Sequence, residues 1–273
     1  MANVREIRAS REGRRLSPVF LVIVAACVLT GLITWRYGRL ADHLTARIAL
    51  FGFVVSAWIM SLCLHEFAHA YFAFRAGDRS IPGKGYLTLN PLKYADPILS
   101  IGIPVFFMLL GGIGLPGGAV WIDRGAIQGK VRHSLISAAG PLANVAIAIV
   151  LALILKTVAP PLDAATVTHG VFWSGVYFLA FLQITAALLN LLPIPGLDGF
   201  GIVEPYLPRD WVRAAGQYGQ FIFLGLIALL WYQPVNSAFY RLVFHITDTL
   251  GVNQVWIGTG LQLFRFWSKV PTG

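Results

Sequence analysis

Long uncharged runs, rather than alternating or heptad patterns, organise this chain. Five stretches pass without Asp, Glu, Lys or Arg for seventeen residues or more: Ser17–Trp35, Ile48–Leu64, Ser134–Leu155, Gly170–Leu192 and Ala214–Trp231. That is the length at which an apolar helix begins to cross a hydrocarbon core of about 30 Å. The pattern predicts an all-α polytopic membrane protein with about five transmembrane helices. A sixth uncharged run, Pro97–Ile122, is longer but is broken by Gly111, Gly112, Gly114, Pro116, Gly117 and Gly118. One unbroken helix does not survive so many breakers. The run reads instead as a short helix over Ile98–Leu110 followed by an extended piece over Gly118–Ile122. From Pro234 onward Arg241, Asp248, Arg265 and Lys269 mix with Phe, Trp and Leu, the composition of an interfacial amphipathic tail. The chain thus divides into a basic N-terminus (1–16), a membrane domain (17–233, with its core at 48–201) and a tail (234–273).

Composition fixes the solvent. Hydrophobic residues make up 57% of the chain and charged ones 12%, with a mean hydropathy of +0.70, values of an integral membrane protein. A net charge of +9 would suggest nucleic acid in a soluble domain. Here the basic residues sit between the apolar runs, so they read as topology signals and headgroup contacts, with no nucleic-acid partner. Five arginines precede Leu16 and argue for a cytoplasmic N-terminus; the apolar run behind them is too long for a signal peptide and reads as a retained span. Cys27 and Cys63 both fall inside apolar runs, which leaves no disulfide framework and no cysteine zinc cluster.

One span carries charge. Directly behind Ile48–Leu64 come His65, Glu66 and His69, with apolar and aromatic sequence resuming after them. A carboxylate at membrane depth costs roughly 2.5–3.5 kcal/mol on insertion scales, so its presence points to function. Residues four apart share a helix face, which suits two imidazoles for one zinc ion. Glu66 lies about 100° round the helix, within reach of a water as its base. A catalytic zinc needs a third protein ligand and an open position. His43, His169 and His245 fall in links or the tail and His133 in a basic loop, where they read as interface or surface residues. Asp198 differs: it stands in LPIPGLDG, where prolines and glycines distort the backbone just after an apolar helix. Irregular backbone near a membrane is tolerated where it is buried or lines a wet cavity.

HEFAH (His65–His69) together with NLLPIPGLDG (Asn190–Gly199) resembles the site-2 protease family, whose members pair H-E-x-x-H in one span with N-x-x-P-x-P-x-L-D-G in a later one. Every fixed position of the second motif is filled, by Asn190, Pro193, Pro195, Leu197, Asp198 and Gly199. AAGPLAN (Ala138–Asn144) is similar to the family's G-P-x-x-N helix start, and TLNPLKYADP (Thr88–Pro97) to a segment of compact bacterial members without PDZ or CBS domains. LPGGAVWID departs from the W-A-K-P-V-P-V-like strand of those members. The resemblance implies an intramembrane zinc metalloprotease with one Zn2+ held by His65, His69 and Asp198 and with Glu66 as catalytic base. Its substrates would be membrane-spanning or membrane-tethered proteins in a lipid bilayer. Asn190 is the candidate donor to the oxyanion, and Asn144 reads as a hydrogen bond between helices. A transporter or metal carrier using the same His/His/Asp set is the alternative.

The two motifs meet only if their spans run parallel, which requires Pro97–Ile122 to enter and leave on one side as a re-entrant element. With a cytoplasmic N-terminus, fourteen of the 21 Lys and Arg then lie on the cytoplasmic side, matching the positive-inside bias. The expectation is a multi-pass protein of the cell membrane with its site facing the cytoplasm. The Gly118–Ile122 edge would be placed to pair with an unwound substrate by strand addition.

Overall fold

In the computed structural model, residues 16–37, 44–94, 102, 105–106, 120–160 and 169–268 are described. Four helices are long and apolar enough to cross a membrane: α1 (Pro18–Arg36), α2 (Leu44–Ala76), α3 (Lys130–Thr157) and α4 (Gly170–Asn190). The short α5 (Asp198–Val203) is followed by α6 (Arg209–Trp231), α7 (Gln233–Thr249) and α8 (Gln254–Phe264). α6 bends by 70° between Gly219 and Phe221 and makes a fifth span when its two halves are taken together. No strand occurs among the described residues. The re-entrant helix and strand expected over 97–122 fall mostly outside them; Val120, Trp121 and Ile122 lie within and carry no regular secondary structure.

The helices run past the ends of the apolar runs. α2 has 33 residues, so at 1.5 Å per residue it is about 50 Å long, well beyond the hydrocarbon thickness. His65 consequently sits inside the helix rather than at its end. α3 likewise starts at Lys130, before the uncharged run at Ser134. At the start of α1 the Ser17 hydroxyl accepts the Val19 amide at 3.1 Å and Pro18 takes the first helical position, where its missing N–H costs nothing.

Contacts between named residues give the topology. Ile136 and Asn144 of α3 meet His69 and His65 of α2 respectively, so these helices are antiparallel. Gly175 and Gln183 of α4 meet Leu50 and Ser61 of α2, so α2 and α4 are parallel, as convergence of the two motifs demands. α1 returns antiparallel to α2: Gly31 lies against Phe53 and Phe20 joins the cluster around Cys63. At the site end of the bundle the Ser17 amide donates to the Thr88 carbonyl at 2.9 Å. At the opposite end Trp35 stacks on His169 at 3.6 Å.

α4 is the central helix, contributing Phe178, Leu182, Ile184 and Leu189 to the core with at most 4% exposure. Small residues let its neighbours close in: a Cβ at Gly175 would strike Leu50, and one at Gly260 of α8 would strike the Ser174 carbonyl. The C-terminal segment is fastened at the end opposite the site. The buried Arg47 donates to the carbonyls of Arg265 at 2.6 Å and Ser268 at 2.8 Å, while Phe51 packs on Phe264. Trp256, Ile257, Leu263 and Phe264 are buried.

Candidate metal centre

One turn of α2 carries His65, Glu66 and His69, all at most 7% exposed. The i, i+4 spacing brings the two imidazoles onto one face, with their Nε2 atoms 3.1 Å apart. α3 crosses that face at Gly140, where a side chain is impossible: a Cβ would collide with both rings. The GPLAN segment therefore serves the site by what Gly140 lacks. Pro141, next to it and inside the helix, also removes a helical N–H.

Asp198 arrives from a different element. α4 ends at Asn190, and the chain turns through 191–197 before α5 begins at Asp198. The turn needs Gly196 at φ +97°, a conformation that favours glycine, and bonds Leu197 N–H to the Ile194 carbonyl at 3.0 Å. A Cβ at Gly199 would strike the Leu191 and Leu192 carbonyls, so the LDG glycine lets α5 tuck under the end of α4. Asp198 Oδ2 then lies 3.1 Å from His65 Nε2 and Oδ1 3.2 Å from His69 Nε2.

The outer nitrogens decide what faces inward. His69 Nδ1 lies 2.7 Å from the Ile136 carbonyl, which can only accept, so Nδ1 is the protonated atom. His65 Nδ1 lies 2.5 Å from Asn144 Oδ1 and donates likewise. Both Nε2 lone pairs therefore point at Asp198, and three acceptors face one another with no proton among them. A cation resolves that arrangement. In a tetrahedron with bonds of about 2.0–2.1 Å the donors stand roughly 3.3 Å apart; here the two Nε2 atoms are 3.1 Å apart, and Asp198 sets one carboxylate oxygen 3.1 Å from His65 and the other 3.2 Å from His69. The donor set fits zinc, and among the described residues it is the group of three His, Cys, Asp or Glu side chains able to hold a metal ion.

The triad lines a cleft of about 320 Å³ together with Glu66, Asn190 and Phe223. Glu66 is 2% exposed, and its Oε2 has no hydrogen-bond partner. An unsatisfied carboxylate oxygen is costly inside a protein unless it has chemistry to do. Asn190 is the last residue of α4, in helix, while Asp198 starts another, so the two approach the cleft from separate elements. Arg124 and Glu204 pair at 2.5 Å beside it.

The structure gathers His65, Glu66, His69, Asn190 and Asp198 into this one cleft. It keeps the other described histidines away: His133 bonds the Ile127 carbonyl, His169 the Trp35 carbonyl, and His245 is exposed on α7. His43 lies outside the described residues. Asn144 does bridge helices, by donating to Gln183, yet its other end orients His65. Sequence reasoning missed Gln183 and Ser61 behind Asn144. A signal was present: the four long helices contain only three carboxamide side chains, Asn144, Gln183 and Asn190, and a polar side chain at membrane depth has to be explained.

No family model and no solved structure matches the chain. Curated proteins do. It is 44% identical over 262 residues to the "Putative zinc metalloprotease Rip2" of Mycolicibacterium smegmatis, covering 96% of this chain and 98% of that protein. Against the protein of the same name in Mycobacterium tuberculosis H37Rv the identity is 42%, covering 94% and 96%. A Bacillus subtilis relative, "Putative zinc metalloprotease YwhC", is 32% identical over 70% of this chain and 84% of its own. Near-complete coverage by zinc metalloproteases, a His/His/Asp donor set and a bundle of membrane-length helices lead to one assignment: the chain belongs to the compact form of the site-2 protease family of zinc metalloproteases.

Proposed function

We propose that this zinc metalloprotease cleaves membrane-spanning or membrane-tethered proteins within the bilayer. The observation that carries the reading is Glu66: a buried carboxylate oxygen without a partner, on the turn of α2 that supplies two of the three metal donors, inside a membrane-length helix. His65, His69 and Asp198 would hold the zinc, whose Lewis acidity acidifies water and polarises a peptide carbonyl. Glu66 Oε2 would accept the proton of the attacking water and later give it to the leaving amine. Asn190, lining the same cleft, would donate its amide to the oxyanion that develops on the substrate. The surrounding apolar helices would limit water to what the cleft admits.

Orientation follows from charge. The N-terminus of α1 and the cleft lie at the same end of the bundle, and the topology read from the sequence would put fourteen of the 21 Lys and Arg on that side. By the positive-inside bias that end would face the cytoplasm of a cell-membrane protein. Comparison of membrane proteomes from cells carrying wild type or Glu66→Gln tests the function. Uncleaved membrane proteins should accumulate in the variant; none accumulating would sink the protease reading. A carrier using the same donors would lose little transport on that substitution, since Glu66 is not among them.

A further inference from the structure

Behind His65 a chain of hydrogen bonds crosses three helices. His65 Nδ1 donates to Asn144 Oδ1 at 2.5 Å, and Asn144 Nδ2 donates to Gln183 Oε1 at 2.8 Å. Gln183 Nε2 donates to Ser61 Oγ at 2.9 Å, and the Ser61 hydroxyl donates to the Trp58 carbonyl at 2.8 Å. The chain leaves α2, passes through α3 and α4, and returns to α2 one turn before it began. Ser61, Asn144 and Gln183 are each at most 4% exposed, so water does not compete for these groups.

The chain has a direction, and the direction matters. A backbone carbonyl only accepts, so the Ser61 hydroxyl that bonds Trp58 presents its lone pair to Gln183. That turns the Gln183 carbonyl towards Asn144, and the Asn144 carbonyl towards His65. Reversing both amides would oblige the Ser61 hydroxyl to donate to Gln183, giving up its bond to Trp58. Reversal would also present Asn144 N–H groups to His65 Nδ1, driving the imidazole proton onto Nε2, the atom a metal requires bare. His69 needs no such device, because the Ile136 carbonyl fixes its tautomer directly.

We propose that Gln183 is a positioning residue for the metal: by holding the Asn144 amide in one orientation it keeps the proton of His65 on Nδ1 and the Nε2 lone pair free for zinc. The inference rests on the His65/His69/Asp198 metal site. Outer partners of metal-bound histidines typically affect affinity by 10–100-fold when removed, and Gln183 acts one residue further out than such a partner usually stands.

Competition for Zn2+ against a chromophoric chelator, on the purified full-length protein in detergent, tests it. Gln183→Met keeps the volume but removes both hydrogen-bonding ends, so its zinc affinity should fall by about 10-fold or more. Gln183→Glu should restore affinity to near the wild-type value. Its carboxyl accepts from Asn144 whether ionised or protonated, and so keeps the Asn144 carbonyl on His65. Ser61→Ala removes only the anchor of the direction, at almost no loss of packing, and should weaken zinc by less than Gln183→Met. A purely structural Gln183 predicts the opposite split, with the melting temperature of the metal-free protein falling in Gln183→Met and zinc affinity unchanged; that result overturns the proposal. Should Gln183→Met fail to fold, unchanged affinity in Ser61→Ala together with weakened affinity in Gln183→Glu overturns it as well. Wild-type protein that holds no zinc overturns the metal site itself, a failure separable from that of Gln183.

Discussion

α1 and α4 are both membrane-length apolar helices, and α1 is the more apolar, yet only 17% of the apolar window of α1 is buried against 83% for α4. α1 exposes Leu21, Val22, Val28, Leu29 and Leu32, which face lipid if the helix spans. α4 buries Ser174, Gln183, Thr185 and Asn190. Hydropathy therefore identifies a span but ranks the two helices in the wrong order for centrality. The kind of polar residue tells them apart. Thr30 and Thr34 of α1 bond carbonyls of their own helix at 2.6 and 2.7 Å, as Ser174 and Thr185 of α4 do at 2.8 and 2.9 Å. A hydroxyl can be satisfied locally in this way. A carboxamide has more donors and acceptors than its own helix can serve, and Gln183 reaches α2 and α3. Within α1 to α4 the carboxamides mark the shared interior.

The sharpest test lies where the interior becomes chemical. Glu66→Gln replaces an acceptor aimed into the cleft with an amide and leaves the three donors untouched. Cleavage of a membrane substrate should fall by roughly 10²–10⁴-fold, the span expected for loss of a general base, with zinc content unchanged by metal analysis. Loss of zinc along with activity would mean that Glu66 shapes the donor set instead.

The second test sets core against lipid within α4. Leu182 is wholly buried, and Leu182→Ala should cost about 2 kcal/mol, the low end for buried leucines. The low end applies because the separated helix places the same side chain in lipid rather than water, so the lost term is packing more than transfer. Unfolding midpoints in mixed micelles measure it. A cost near zero would mean that α4 is held by its polar contacts alone.

These contrasts also show how much of the molecule could be read in advance. The spans were legible because each is a long uncharged run, but their ends were not, because a helix continues through the headgroup region at no cost. Hence α2 runs on to Ala76 and α3 starts at Lys130. The donor set was legible because HEFAH and LDG carry fixed spacing and resemble a known family. Which imidazole nitrogen faces the metal was not: it is set by the Ile136 carbonyl and by Asn144, 67 and 79 residues away in sequence. Gln183 belongs to no motif, so only its rarity in an apolar helix could have drawn attention to it.

Outside the spans a buried polar group is paired in the same thorough way. Asp78, just past α2, accepts from the Ser80 amide at 2.9 Å, the Ser80 hydroxyl at 2.6 Å and the Asp123 amide at 2.7 Å. Burial pushes its carboxyl up, but these hydrogen bonds and the Lys84 charge outweigh that and leave it below its ordinary value. A lowered folded-state pKa means that the contribution is complete above the ordinary carboxylate range. It is lost as pH falls through the folded value. Asp78→Asn should lower stability by about 1–3 kcal/mol at neutral pH and flatten the acid limb of the stability curve. An acid limb unchanged in the variant would remove Asp78 from that account.

The smallest effect belongs to the lipid face of α1. Leu29 is 60% exposed, and Leu29→Ala should change stability by no more than about 0.5 kcal/mol, because lipid chains replace the lost contacts. The same helix meets α2 through Gly52, where a Cβ would press on Thr30, so Gly52→Ala should cost more than Leu29→Ala although it adds a methyl group instead of removing three carbons. A micelle experiment that finds Leu29→Ala the costlier change would show that α1 is covered by protein along this face, and would break the contrast between the two helices.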